Sequence, residues 1–180
     1  MEEVSKASGR FQLWGTIMAL FISSLALVVS IYETNLHRAE QKAMVWPFLT
    51  ISSSFSGEGF SFNATNNGTG PALIKSVSLT YKGRSYKRFE QLLDTIKAGH
   101  HQDYGRIRMS GFNQTVMKAG EKRTLFFMPW DEESREMAYE LFKASLKVQY
   151  CSVLEDCWIF ESQKKERIEG VFKAEVEYEN

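Results

Sequence analysis

The chain has two cysteines, three histidines and no net charge, with 22 Lys and Arg against 22 Asp and Glu. Each scarcity removes a class of function. Two cysteines are too few for a disulfide-dense scaffold, and Cys151 and Cys157 have no neighbouring histidines with which to build a structural zinc site. Their spacing is not the C-x-x-C of thioredoxin-like redox chemistry. Setting aside Glu2, Glu3, Lys6 and Arg10 of the amino-terminal leader leaves 20 charges of each sign, so no basic field for nucleic acid emerges. Neither H-E-x-x-H nor G-x-S-x-G occurs, and zinc-protease and nucleophile-elbow chemistry are without their carriers.

One cluster could still hold a metal or serve acid–base chemistry: His100, His101 and Asp103. Adjacent histidines point in different directions, and the remaining one, His37, lies far away in sequence. A solvated loop is the plainer reading, and Ser110 with His101 and Asp103 makes only a formal triad. The residues therefore predict a non-enzymatic protein with no metal and no cofactor; a hydrolase or metal enzyme built on these three is the weakest alternative.

What the sequence does have is Phe11 to Tyr32, twenty-two consecutive residues without an Asp, Glu, Lys or Arg. As a helix this stretch is about 33 Å long, enough for a hydrocarbon core of about 30 Å. Gln12, Thr16, Ser23, Ser24 and Ser30 are scattered rather than aligned, unlike the polar face of a helix in a soluble core. Trp14 and Tyr32 sit near its ends, where amphipathic rings favour the headgroup level. A cleavable signal is the competing reading, with Val28 and Ser30 as small residues before a cut. Signal apolar regions run about 7–15 residues after a basic leader, whereas this one is longer and its leader is charge-balanced. The division that follows is a leader at 1–10, a transmembrane helix at 11–32, a helical stalk at 33–47, a β-sandwich domain at 48–165 and a tail at 166–180.

In the stalk Leu36, Ala39, Ala43 and Trp46 share a face while Glu33, Arg38, Glu40 and Lys42 stay wet, and Pro47 stops the helix. From Phe48 the period becomes two. FLTISSSF, GFSFNATN, ALIKSVSLTYKG and RSYKRF alternate apolar and polar residues between Gly and Asn clusters, as half-buried antiparallel strands do. Asn67, Gly68, Gly70 and Pro71 form the turn between the second and third, with glycine at Gly68 or Gly70 expected to supply a positive φ. FEQLLDTIKA puts Phe89, Leu92, Leu93 and Ile96 on one helical face, and a long loop is expected from His100 to Gln114. Strands resume near Thr115–Val116 and at Arg123–Met128. Asp131 is placed to cap a helix whose core contacts would be Met137, Tyr139, Leu141 and Phe142. Ser145–Val153 and Cys157–Glu161 read as a hairpin, and the tail as an edge strand or a disordered end. Phe60, Phe62, Tyr81, Tyr86, Phe126, Phe127, Trp130, Trp158 and Phe160 read as core. Asn63, Asn67 and Asn113 begin glycosylation-acceptor triplets, a cheap match in an Asn-rich chain.

Cys151 and Cys157 fit a disulfide across that hairpin, a short loop being able to bring their Cα atoms within about 4.4–6.8 Å. Two reduced core cysteines are the alternative. Charge does not orient the helix, because Lys6 and Arg10 on one flank are matched by Arg38 and Lys42 on the other. The cysteine pair favours a domain outside the cytoplasm.

The turn from Asn67 to Ala72 and the Tyr150-Cys151-Ser152 to Cys157-Trp158 segment, completed by Trp46-Pro47, resemble those of uncharacterised bacterial single-pass membrane proteins. Such proteins look like an amino-terminal anchor, a stalk ending in Trp-Pro and a sandwich with an Asn-x-Gly-x-Gly-Pro-Ala turn. The resemblance covers about residues 11–160 and implies architecture and an inner-membrane location, with no activity attached. The expectation is one transmembrane helix followed by an all-β, immunoglobulin-like sandwich with short inserted helices, periplasmic or, in the alternative, cytoplasmic. Its function would be that of an interaction or accessory protein at the bilayer, with a protein partner or a second copy and no nucleic acid. A small-molecule or lipid-binding module is the alternative, which a closed apolar pocket above about 300 Å³ would favour.

Overall fold

The computed structural model describes residues 2–97, 106–131, 134–161, 164–171 and 178–179. Two compact units divide the chain, Met1–Ala43 and Met44–Asn180. The first is a single helix, α1 (Glu2–Met44), which continues without a break through the apolar stretch and ends three residues short of the expected stalk boundary at Pro47, leaving Trp46 outside the helix. The hydroxyls that interrupt its apolar surface bond their own backbone: Thr16 donates to Gln12 O at 3.0 Å, and Ser23, Ser24 and Thr34 donate to Ala19, Leu20 and Ser30 carbonyls at 2.8 Å. Satisfied in this way, they ask nothing of water. Every residue from Gln12 to Met44 is exposed, among them Leu20 at 64%, Phe21 at 67% and Leu27 at 63%.

The second unit is two antiparallel sheets with short helices in the connections. One sheet has the order β1-β2-β7-β5, from β1 (Leu49–Phe55), β2 (Gly59–Asn66), β7 (Lys122–Pro129) and β5 (Arg108–Met109). The other has the order β10-β9-β8-β3-β4, from β10 (Lys164–Ile168), β9 (Cys157–Glu161), β8 (Ser145–Cys151), β3 (Ala72–Tyr81) and β4 (Arg84–Tyr86). A two-residue strand, β6 (Val116–Met117), pairs with the start of β3. The alternation read from the sequence becomes a filling between the sheets: Phe60, Phe62, Ala64 and Phe126 from one, Val77, Leu79, Leu146, Val148 and Tyr150 from the other. Helix α2 (Phe89–Ile96) closes part of this core with Phe89, Leu92 and Leu93, and the Phe89 ring lies 4.8 Å from that of Phe126.

Helix α3 (Ser134–Leu141) starts on a reciprocal cap. The Ser134 N–H donates to Asp131 Oδ1 at 2.7 Å, and the Asp131 N–H donates to Ser134 Oγ at 2.7 Å, so each residue satisfies the other's free donor. Glu140 ties the helix to the end of β3, accepting from the Tyr81 hydroxyl and pairing with Lys82 and Lys143. The Lys143 ammonium and the Tyr81 hydroxyl hold its carboxyl down to about 2.

Four expectations are corrected. Met137, Ala138 and Leu141 are the buried face of α3, with Ser134, whereas Tyr139 and Phe142 are 66% and 54% exposed. An eight-residue helix at 3.6 residues per turn cannot put 137, 139, 141 and 142 on one side. The expected long loop contains β5, which extends the first sheet beyond β7. An edge strand lies at Lys164–Ile168, across the expected domain boundary, while most of the Val171–Tyr178 alternation falls outside the described residues. The end of the tail is docked: Tyr178 is buried beside Phe89, its N–H donates to Val77 O at 2.8 Å, and Glu179 bridges Lys87 and Arg88. A buried ring and two backbone bonds outweigh the charge around them.

Candidate functional site

The junction at which helix becomes sheet is the most constructed place in the second unit. Helical geometry ends at Met44, and Pro47, which has no N–H to continue it, is buried. The segment from Val45 to Phe48 must then satisfy its backbone polar groups elsewhere. They are met by the Asn67–Pro71 turn. Trp46 O accepts from the Thr69 N–H at 2.9 Å and the Gly70 N–H at 3.3 Å, and Phe48 O accepts from the Asn67 N–H at 2.8 Å.

Asn66 is the centre of this clamp, where the sequence alone marks it only as the first residue of the turn. Fully buried, it accepts at Oδ1 from the Phe48 and Gly68 N–H groups, both at 3.1 Å. Its Nδ2 donates to Gly70 O at 2.9 Å, Lys118 O at 3.2 Å and Met117 O at 3.3 Å. One side chain thus joins the junction segment, the turn and the loop before β7. Its position just before the Asn67-Gly68 pair, at a strand end, was the available signal.

The glycines of the turn have a different reason from the one expected. Neither Gly68 nor Gly70 has a positive φ. A Cβ on Gly68 would lie 2.3 Å from Trp46 O and 2.4 Å from Phe48 N; on Gly70 it would lie 2.2 Å from Val45 O. What these positions require is room for a second backbone.

Beside the clamp, four aromatic rings surround one cation. Lys165 Nζ, from edge strand β10, lies 4.4 Å from the ring centre of Trp46, 4.6 Å from Phe48, 4.8 Å from Trp158 and 5.9 Å from Tyr150. Tyr150 and Trp158 stack at 5.8 Å on the paired strands β8 and β9, and the Tyr150 oxygen accepts from the Leu49 N–H at 3.3 Å, crossing from one sheet to the other. Burial drives the Tyr150 hydroxyl up to about 12 and the Lys165 ammonium down to about 8. The ring faces oppose the second effect, being worth roughly 0.5–2 kcal/mol to a positive charge. Lys165 lies 118 positions from Pro47, whose carbonyl it also reaches at 3.4 Å, so no local spacing announced the box.

Cys151 and Cys157 lie in the same hairpin, directly opposite one another, with Cα atoms 4.0 Å apart and sulfurs at a bonding distance of 2.10 Å. The approach is closer than the window expected from the sequence, near the narrow spacing of a non-hydrogen-bonded antiparallel pair. His100, His101 and Asp103 lie outside the described residues. Among the described residues, no three His, Cys, Asp or Glu side chains gather to hold a metal. Two crevices, of about 520 Å³ beside Asp156 and Arg167 and about 330 Å³ between Ile51, Phe62, Leu146 and Phe160, are open to solvent rather than closed around a ligand. Asn63 and Asn113, two of the three acceptor asparagines, are buried.

Replacing Gly70 by Ala should lower the stability of the full chain in detergent by more than about 2 kcal/mol, since overpacking against fixed backbone typically costs 1–3. Gly57→Ala, where a Cβ meets open space, should stay within about 0.5 kcal/mol of the parent. Denaturation midpoints that coincide for the two variants would mean that the turn does not grip Val45.

No family model matches the chain, and neither a curated protein nor a solved structure matches it.

Proposed function

We propose that the chain is a single-pass membrane protein of accessory, non-enzymatic kind, holding an immunoglobulin-like sandwich outside the cytoplasm for contact with a protein partner. The observation that carries the proposal is the apolar surface of α1, long enough to cross a membrane and exposed among the described residues from Gln12 to Met44. In water that surface opposes solubility by about 25 cal/mol for each Å² exposed, and a bilayer removes the penalty. A signal sequence passes the same test of length and composition; the unbroken helical stalk after it favours a retained anchor.

The immunoglobulin-like assignment rests on strand order. β1, β2, β7 and β5 follow the order A-B-E-D, and β9, β8, β3 and β4 follow G-F-C-C′, with β10 added outside G. Location outside the cytoplasm rests on the facing cysteines, since such bonds persist in oxidising compartments. With the resemblance to bacterial single-pass proteins, the compartment proposed is the periplasm.

For partner contact the support is an aromatic cluster at the far end of β1, in which Phe55, Tyr139 and Phe142 are exposed and Trp130 is half-buried. Phe55 stacks on Trp130 at 6.2 Å and meets Tyr139 at 5.7 Å and Phe142 at 5.8 Å. β1 carries it about 20 Å from the junction at the strand's rise of 3.3 Å per residue. Exposed aromatic groups of this density are typical of contact surfaces.

Leu20→Arg combined with Leu25→Arg places two charges in the apolar stretch, each costing roughly 2.5–3.5 kcal/mol at a helix centre. The double variant should leave the membrane fraction on alkaline extraction, while the parent stays; retention of both would put the anchor elsewhere.

The interaction reading is tested by mild solubilisation from the native membrane. A stoichiometric protein should accompany the parent and be lost with Tyr139→Ser/Phe142→Ser. A parent recovered alone, or a partner indifferent to that variant, would contradict the role given to the cluster.

A further inference from the structure

The aromatic box contains an occupant that suits it only in part. A primary ammonium brings three N–H donors, and among the described residues Lys165 Nζ has one hydrogen bond, to Pro47 O at 3.4 Å. Three of the four rings lie within 4.4–4.8 Å of it, the distance at which ring faces attract a cation but accept no strong hydrogen bond. The surroundings therefore supply what a charge needs and little of what a donor needs. A quaternary ammonium carries the charge without the donors, and taking the lysine's place gives up only its one long bond to Pro47 O.

The box is also built to admit something. Trp158 and Tyr150 form a buried floor, whereas Trp46 and Phe48 are 42% and 36% exposed and form an open rim. The rim is fixed in place by the backbone clamp on Trp46 and Phe48, not by the lysine. Lys165 comes from β10, which among the described residues is the outermost strand of its sheet, pairs on one side only and places no residue in the buried core. Its withdrawal leaves the sheets intact.

We infer that Trp46, Phe48, Tyr150 and Trp158 form a recognition cage for a quaternary trimethylammonium group, with Lys165 as a built-in occupant that such a ligand displaces. The shared chemistry is that of choline, met either as a free molecule or as a lipid headgroup. The inference concerns residues after Met44 and does not depend on where α1 resides.

The test uses the full chain in maltoside micelles, with choline as probe and the neutral isostere 3,3-dimethylbutan-1-ol as control. Choline should bind the parent saturably, and should bind Lys165→Ala at least about tenfold tighter, because the variant has no occupant to expel. The alcohol should bind neither, and Lys165→Ala/Trp158→Leu should lose choline. Lys165→Gln, which keeps the length of the side chain but not its charge, should fall on the side of Lys165→Ala. Saturating choline should also speed hydrogen exchange at Lys164–Ile168 in the parent. Reconstitution into phosphatidylglycerol vesicles with and without phosphatidylcholine separates the sources: faster β10 exchange only with phosphatidylcholine identifies a headgroup, and faster exchange only with added choline identifies a free ligand. Equal binding of the alcohol, absence of saturable choline binding in both Lys165 variants while their circular dichroism matches the parent, or binding to the variants with none to the parent, would each overturn the inference.

Discussion

A long, apolar and exposed helical surface is the constraint on which the rest of this structure depends. Twenty-two residues without a charge make a helix apolar on every side, and its described residues are exposed. In the proposed reading the bilayer takes that surface, and everything after Met44 becomes a tethered domain. The clamp then acquires a mechanical sense. The segment that enters the second unit is fastened by backbone bonds, Trp46 and Phe48 carbonyls on the Asn67–Gly70 amides, with the buried Asn66 amide behind them. Backbone-to-backbone fastening tolerates neither a side chain at Gly68 or Gly70 nor a helix that overruns Pro47.

A division of labour between the two ends of the sandwich follows. At the junction, apolar and aromatic groups are engaged: Trp46 and Phe48 lie over Lys165, and Tyr150 links the sheets. At the far end of β1 they are not, since Phe55, Tyr139 and Phe142 stay exposed although they touch one another. The first end fastens the Val45–Phe48 segment within the second unit. The second is available for contact, and the proposed accessory role draws on that difference.

Much of the fold was legible because it rests on periodicity. The change from 3.6 to 2 at Phe48, the helix at Phe89 and the cap at Asp131 are local patterns, and each produced the element expected of it. What escaped was non-local. The reason for Gly70 lies in Val45, 25 positions away, and the box around Lys165 draws on residues from both ends of the domain. Tyr139 and Phe142 were misread for another reason: aromatic content suggested core, but the register of an eight-residue helix decided otherwise. Asn66 was legible only as a turn residue, because nothing in its neighbours says that a passing strand will need both ends of its amide.

The central claim is a sandwich tethered at a membrane on the oxidising side, and the cysteine pair tests it most directly. Cells should be quenched in acid and free thiols trapped with a mass-tagged maleimide before and after reduction. The account predicts that Cys151 and Cys157 take no tag until reductant is added and then take two per chain. Two tags on unreduced protein taken straight from cells would contradict it, placing the domain in the cytoplasm with its facing cysteines reduced.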